Sequence, residues 1–136
     1  MSDFNEQIIS EFRANSGHVT TAGFGSNLVL LHTTGARSGT ERVSPVMSVR
    51  DGDAWLVVAS AGGRPRHPAW YFNLLTHPDT TIETTEGTID VTATVLDGDE
   101  HDQAWAKVVA RAPGFADYQE RAVERTIPVL RLTRRS

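Results

Sequence analysis

Two short stretches gather the groups that bind oxyanions. The first, "TTGARSGTER" (33–42), sets two threonine hydroxyls before a glycine and follows them with Arg37, Ser38, Gly39 and Arg42. Hydroxyls, exposed backbone N–H groups and guanidinium forks at one turn suit a phosphate or carboxylate. The second, "SAGGRPRHPAW" (60–70), strips the backbone of side chains at Gly62 and Gly63, beside Arg64 and Arg66 and just ahead of a helix start. Glycine amides leading into a helix N-terminus also favour an anion. Between the two stretches runs "SPVMSV" (44–49), which is largely apolar. Two anion sites at either end of a strand pair, joined by such a strand, outline a ligand with an acidic tail and a flat apolar body.

Side-chain acid–base machinery is otherwise sparse. The chain has no cysteine, which removes thiol chemistry and disulfides, and it lacks the phosphate-loop, dinucleotide-fingerprint, nucleophile-elbow and HExxH patterns. Its five histidines (18, 32, 67, 77 and 101) do not fall at metal-ligand spacing and read as surface or capping residues. Neither Ser38 nor Ser60 has a base next to it in sequence. An enzyme built this way needs a cofactor to carry the reaction.

The elements that must position these stretches follow from periodicity. Phe4, Ile8, Ile9 and Phe12 fall at helical spacing, giving an amphipathic helix over 4–15 that ends at Asn15-Ser16-Gly17. Its apolar face packs on the core, and the same face would serve to close over a ligand or rest on a membrane surface. Strands are expected at 26–35, 40–50 and 54–60, with a turn at 36–39 and a tight hairpin at Asp51-Gly52-Asp53. Pro45 has no N–H to donate and calls for an edge position or a bulge. A helix over 67–78 starts near Pro68 and stops at Pro78, and a second hairpin over 80–98 turns at Glu86-Gly87. Helices at 99–114 and 115–123 and a strand at 127–133 complete the chain. About six antiparallel strands with flanking helices form, most simply, a small closed or half-closed barrel: a mainly β, α+β fold in one domain spanning 1–136.

Composition bounds the partners. The 136 residues carry a net charge of −4, so the surface as a whole does not attract nucleic acid. The segment from His32 to His67 holds five arginines against three acids, a local +2 that leaves −6 for the rest. The first residues lack the basic start and apolar run of a secretion signal, and the absence of cysteine suits a reducing cytoplasm.

The run from Leu30 to Glu83, "LLHTTGARSGTERVSPVMSVRDGDAWLVVASAGGRPRHPAWYFNLLTHPDTTIE", resembles the deazaflavin-dependent nitroreductase family. The shared pattern continues through "PGFADYQ" (113–119), so the likeness extends from about Phe4 to Leu132. The resemblance implies a split β-barrel like that of FMN-binding proteins, and coenzyme F420, an 8-hydroxy-5-deazaflavin with a phosphodiester and an oligoglutamate tail. It further implies that Arg37, Ser38 and Arg42 hold the tail, and that Pro45, Val46 and Met47 lie along the ring. Ser60, Ala61, Gly62 and Gly63 would present backbone donors, with Trp70 and Asn73 in support and Tyr118 facing ring and substrate as a contact or proton donor. Read as residues alone, Trp70 serves equally as core, Asn73 as helix surface, Pro45 as a bulge-former and Tyr118 as helix packing.

The implied activity is hydride transfer to a quinone, a nitro compound or an activated alkene, by a monomer or homodimer. FMN on the same barrel, or a carrier protein that binds the deazaflavin without turnover, are the alternatives. Two letters depart from the family pattern. Ala61 stands where many relatives have lysine, and Phe115 where relatives active on nitroimidazoles tend to have tyrosine.

Overall fold

In a computed structural model, six strands close into an antiparallel barrel. The structure describes residues 3–19, 28–36, 39–59, 67–111, 116–117, 119 and 126–135. In chain order the elements are α1 (Asp3–Ala14), β1 (Leu28–Thr34), β2 (Glu41–Asp51), β3 (Ala54–Val58), α2 (Ala69–Thr76), β4 (Asp79–Thr84), β5 (Gly87–Val95), α3 (Gly98–Arg111) and β6 (Val129–Arg134). The order around the barrel is β1-β2-β3-β6-β5-β4, with β1 and β4 sealing the ring. These bounds agree with the periodicity within a few residues. Of the helix expected over 115–123, residues 116, 117 and 119 are helical and the remainder lies outside the described residues.

Alternation sorts the strand residues. Val29, Leu31, Val46, Trp55, Val57, Ile82, Val91, Leu130 and Leu132 point inward and form the barrel core. Outward-facing residues carry the helices: Ile8 and Phe12 of α1 bury themselves with Val19, Leu28 and Leu30, and Ala104 and Val108 of α3 with Leu56, Val58 and Val129. Met47 lies between these two outer clusters. Ile8 and Phe12 of the α1 apolar face are therefore taken up by the barrel wall, and nothing in the structure supports a membrane contact through them. Among the described residues no helix is long and apolar enough to cross a bilayer.

The turn chemistry is local. Past α1, Gly17 takes φ +96 and donates its N–H to the Phe12 carbonyl. A side chain here would collide with Thr85 of the β4–β5 turn, because a Cβ would sit 2.8 Å from its Cγ2. Gly52, at φ +63, closes the two-residue β2–β3 hairpin.

β2 resolves the position of Pro45. Its residues 41–47 pair with β1, from Thr34↔Glu41 to Leu28↔Met47, whereas 48–51 pair with β3, from Ser48↔Val57 to Asp51↔Ala54. The strand hands over from one neighbour to the other, so Pro45, opposite Leu30, lies where β2 is paired on one side only. The missing N–H leaves the overall barrel intact.

Ion pairs fasten α3 to the β2–β3 turn. Asp51 accepts from Lys107 Nζ at 2.6 Å and from Arg131 Nε at 3.2 Å. The Lys107 hydrogen bond, aided by Arg131, holds the Asp51 carboxyl below its ordinary range. A carboxylate whose pKa is depressed by folding adds stability above its unfolded pKa and loses it as pH falls through the folded value. Asp51→Asn should therefore lower unfolding stability by about 1 kcal/mol at pH 7, with the gap closing in acid; denaturant titrations at several pH values measure it.

Candidate functional site

Because every pairing is antiparallel, one mouth of the barrel collects the end of β1, the start of β2, the end of β3, the start of β4, the end of β5 and the start of β6. The described part of the 33–42 stretch turns at this mouth, and β3 ends at the same mouth; residues 60–66 lie outside the described residues.

Helix α2 lies across that mouth. Pro68 occupies its N-cap with φ −67, where the ring's fixed torsion matches and no N–H is needed. Leu74 is buried in the barrel core, and Trp70 and Tyr71 pack against it half-buried. Trp70 is thus a core-packing residue at the rim of the mouth. On the outer side His67, Tyr71 and Phe72 form an aromatic cluster, with His67 4.7 Å from Tyr71 and Tyr71 5.4 Å from Phe72 between ring centroids. A cleft of about 390 Å3 opens between the starts of α2 and α3, walled by His67, Tyr71, Leu96, His101 and Pro128.

Asn73 ties the helix to the first turn. It is 6% exposed. Its Oδ1 accepts the Ala36 backbone N–H at 3.0 Å and its Nδ2 donates to Thr33 Oγ1 at 3.2 Å. It is neither a surface residue nor a free donor. Thr33 is likewise buried, at 2%, so its hydroxyl is spent inside the protein rather than offered to a ligand. The turn is closed further by Gly35 N–H to Thr40 carbonyl and Gly39 N–H to Gly35 carbonyl bonds.

Arg42 is exposed at the start of β2 and makes no ion pair with any described residue. The nearby acid, Glu41, instead faces His32. His32 in turn meets Glu83, which also takes a two-pronged contact from Arg13 at 3.1 and 2.7 Å. The Arg13 hydrogen bond, with a further bond from His32, keeps the Glu83 carboxyl below its usual range. Glu83 therefore remains an anion committed to fastening α1.

Val46 and Met47 face opposite sides of β2, Val46 into the core and Met47 under the helices. Beyond β1, residues 41–47 have no strand partner among the described residues, and alternate backbone groups on that edge point outward. The arginines of the basic segment separate in space. Arg50 lies at the opposite mouth, where it and Arg134 cover the Trp55 ring at 4.5 and 5.0 Å and both meet Glu86. Arg37, Ser38, Ser60, Ala61, Gly62, Gly63, Phe115 and Tyr118 lie outside the described residues. Among the described residues no group of histidines and carboxylates could hold a metal.

A strand edge with no partner among the described residues and an exposed guanidinium at the same mouth suit a flat body with an anionic tail. Residues 6–134 match the F420H(2)-dependent quinone reductase family. The chain belongs to this family. An F420H(2)-dependent quinone reductase of Mycobacterium tuberculosis is 44% identical over 110 residues, covering 79% of this chain and 73% of the relative. A solved F420-H2 dependent reductase (FDR-A) superposes with a TM-score of 0.71 at 38% identity, over 78% of this chain and 93% of that one. A second solved chain, described as a domain-swapped dimer, gives 0.74 at 33% identity over 93% and 96%. Family membership makes the protein an F420-dependent oxidoreductase on a split β-barrel, and the nitroreductase resemblance and the quinone reductase match converge on the same cofactor.

The sequence offers the Thr33 hydroxyl to an anion, and the resemblance places Asn73 in support of the cofactor; in the structure the two are buried and bonded to each other. A buried amide three residues after Trp70 on an otherwise apolar helix is the signal that marks such a residue. Trp70→Ala should cost about 3 kcal/mol of stability, as for other aromatic truncations in cores, measured by urea unfolding of the apo protein. Cofactor affinity then has to be read at temperatures where the variant remains folded.

Proposed function

We propose that this chain transfers a hydride from reduced coenzyme F420 to a quinone, with the cofactor's charged tail at the mouth covered by α2 and its ring along the free edge of β2. The observation that carries this reading is the coincidence, at one barrel mouth, of the unpaired edge of residues 41–47 with the exposed, unneutralised Arg42.

The residues fit the group. Arg42, joined by Arg37 and Ser38, would neutralise the phosphodiester and glutamates, and Ser60, Ala61, Gly62 and Gly63 would offer backbone donors along the second turn. Pro45, Val46 and Met47 would hold the ring through their strand backbone rather than by a common face of side chains. When bound, the reduced deazaflavin supplies a hydride from C5. The protein's contribution is to bind the tail, orient the ring, exclude water and stabilise the negative charge that develops on the acceptor. Tyr118 would deliver the proton that completes reduction.

The family match and the 44% identical relative favour a quinone as acceptor over a nitro compound or an activated alkene. Phe115 bears on the same choice, since it lacks the hydroxyl found in nitroimidazole-reducing relatives.

Titrating the apo protein with F420 and with FMN, followed by fluorescence, should give the tighter binding for F420; preference for FMN would sink the reading. Adding menadione to protein and reduced F420 should consume the reduced cofactor. A folded protein that binds F420 but turns over no quinone would be a carrier. Arg42→Ala should weaken F420 binding about threefold to fivefold at low ionic strength, and the difference should shrink as salt is added. Affinity unchanged at every salt concentration would remove Arg42 from the site.

A further inference from the structure

We propose that Asn73 and Thr33 form a buried clamp that fixes the first anion-binding turn and the Arg42 strand position against α2, and so positions the cofactor tail without touching it. The inference rests on the F420 reading and concerns how this chain achieves it.

The clamp joins elements far apart in sequence. Asn73 belongs to α2, the helix that follows the 60–66 loop directly. Its two bonds end on Thr33 and Ala36, which belong to the first turn. Thr33 is also the residue that pairs with Arg42 across β1 and β2. A displacement of α2 is therefore passed to the strand position bearing the free guanidinium.

Apolar packing alone would not fix this distance. Leu74 and Trp70 hold α2 on the barrel, but hydrophobic contact is non-directional and tolerates small slides and rotations. Hydrogen bonds weaken steeply when misaligned, so two from one carboxamide define both the rotation and the register of the helix. The amide orientation is set by the backbone. Ala36 N–H can only donate, so the atom facing it must be the oxygen, which leaves Nδ2 for the threonine hydroxyl. With its oxygen and one N–H committed inside the protein, the carboxamide acts on the site through the turn it holds against α2, as a positioning group.

Three variants separate this role from simple stabilisation. Asn73→Ala removes both bonds. Thr33→Val keeps the shape of the side chain but deletes the hydroxyl, whereas Thr33→Ser retains it. Each is titrated with F420 and with the tail-less deazaflavin riboside, which carries the ring but no phosphate or glutamate. Hydrogen exchange at the Ala36 amide is measured on the apo protein, and thermal unfolding shows which variants are folded at the assay temperature.

Asn73→Ala and Thr33→Val should weaken F420 binding roughly tenfold while shifting the tail-less ligand by no more than about twofold. Exchange at Ala36 should accelerate in Asn73→Ala with the barrel amides unaffected, and Thr33→Ser should restore F420 affinity to within about twofold of the parent. Equal weakening of both ligands, or unchanged F420 affinity in a folded Asn73→Ala, overturns the clamp. A parent chain that binds neither ligand overturns the F420 reading and the clamp with it.

Discussion

The handover of β2 from β1 to β3 is the constraint on which the rest of the molecule depends. An eleven-residue strand that pairs through Met47 with one neighbour and from Ser48 with the other must bend across the barrel. That bend lets a ring of six short strands close, and it leaves the first half of β2 without a partner on one side among the described residues. A strand edge inside a protein is usually a liability, because its backbone groups invite pairing. Here the edge opens at the mouth where the first turn lies. Pro45 is tolerated there for the same reason, since no ladder on that side needs its N–H.

Charge is apportioned between the two mouths. At one end Arg50, Arg134 and Glu86 surround Trp55 in a set of mutually satisfied groups, so the cations there are neutralised by a neighbour. At the other, Glu41 is drawn to His32, and Glu83 is held by Arg13, leaving Arg42 without a carboxylate among the described residues. The total charge of −4 says nothing of this difference. The ion pairs of α1 and α3 hold those helices to the barrel wall, while Arg42 stays exposed at a mouth that also carries Glu41, Asp79 and Asp97.

Membership of the F420H(2)-dependent quinone reductase family gives these features a common purpose. A deazaflavin needs a dry, flat resting place for its ring and a basic, donor-rich one for its tail, and a split barrel provides the two side by side. The buried Asn73 and Thr33 join α2 to the first turn at the mouth that bears Arg42.

Much of this was written in the sequence. The alternation in 26–35, 40–50, 54–60, 80–98 and 127–133 was enough to number the strands, and Gly52 and Gly87 marked their hairpins, because side-chain periodicity and left-handed turns are local properties. The motif residues named the cofactor by resemblance. The fates of single polar residues were not legible. Nothing in the spacing told that Arg42 and Arg50 would part to opposite mouths, that α1 would pack its apolar face on β1 and β2, or that Asn73 would turn inward to Thr33. These depend on which strands become neighbours and where a helix comes to rest, and contacts 37 and 40 residues apart along the chain leave no periodic trace. Sequence determined the elements and the ligand class; the closing of the barrel decided which groups meet, because burial and hydrogen-bond partnership are settled only when distant segments share one space.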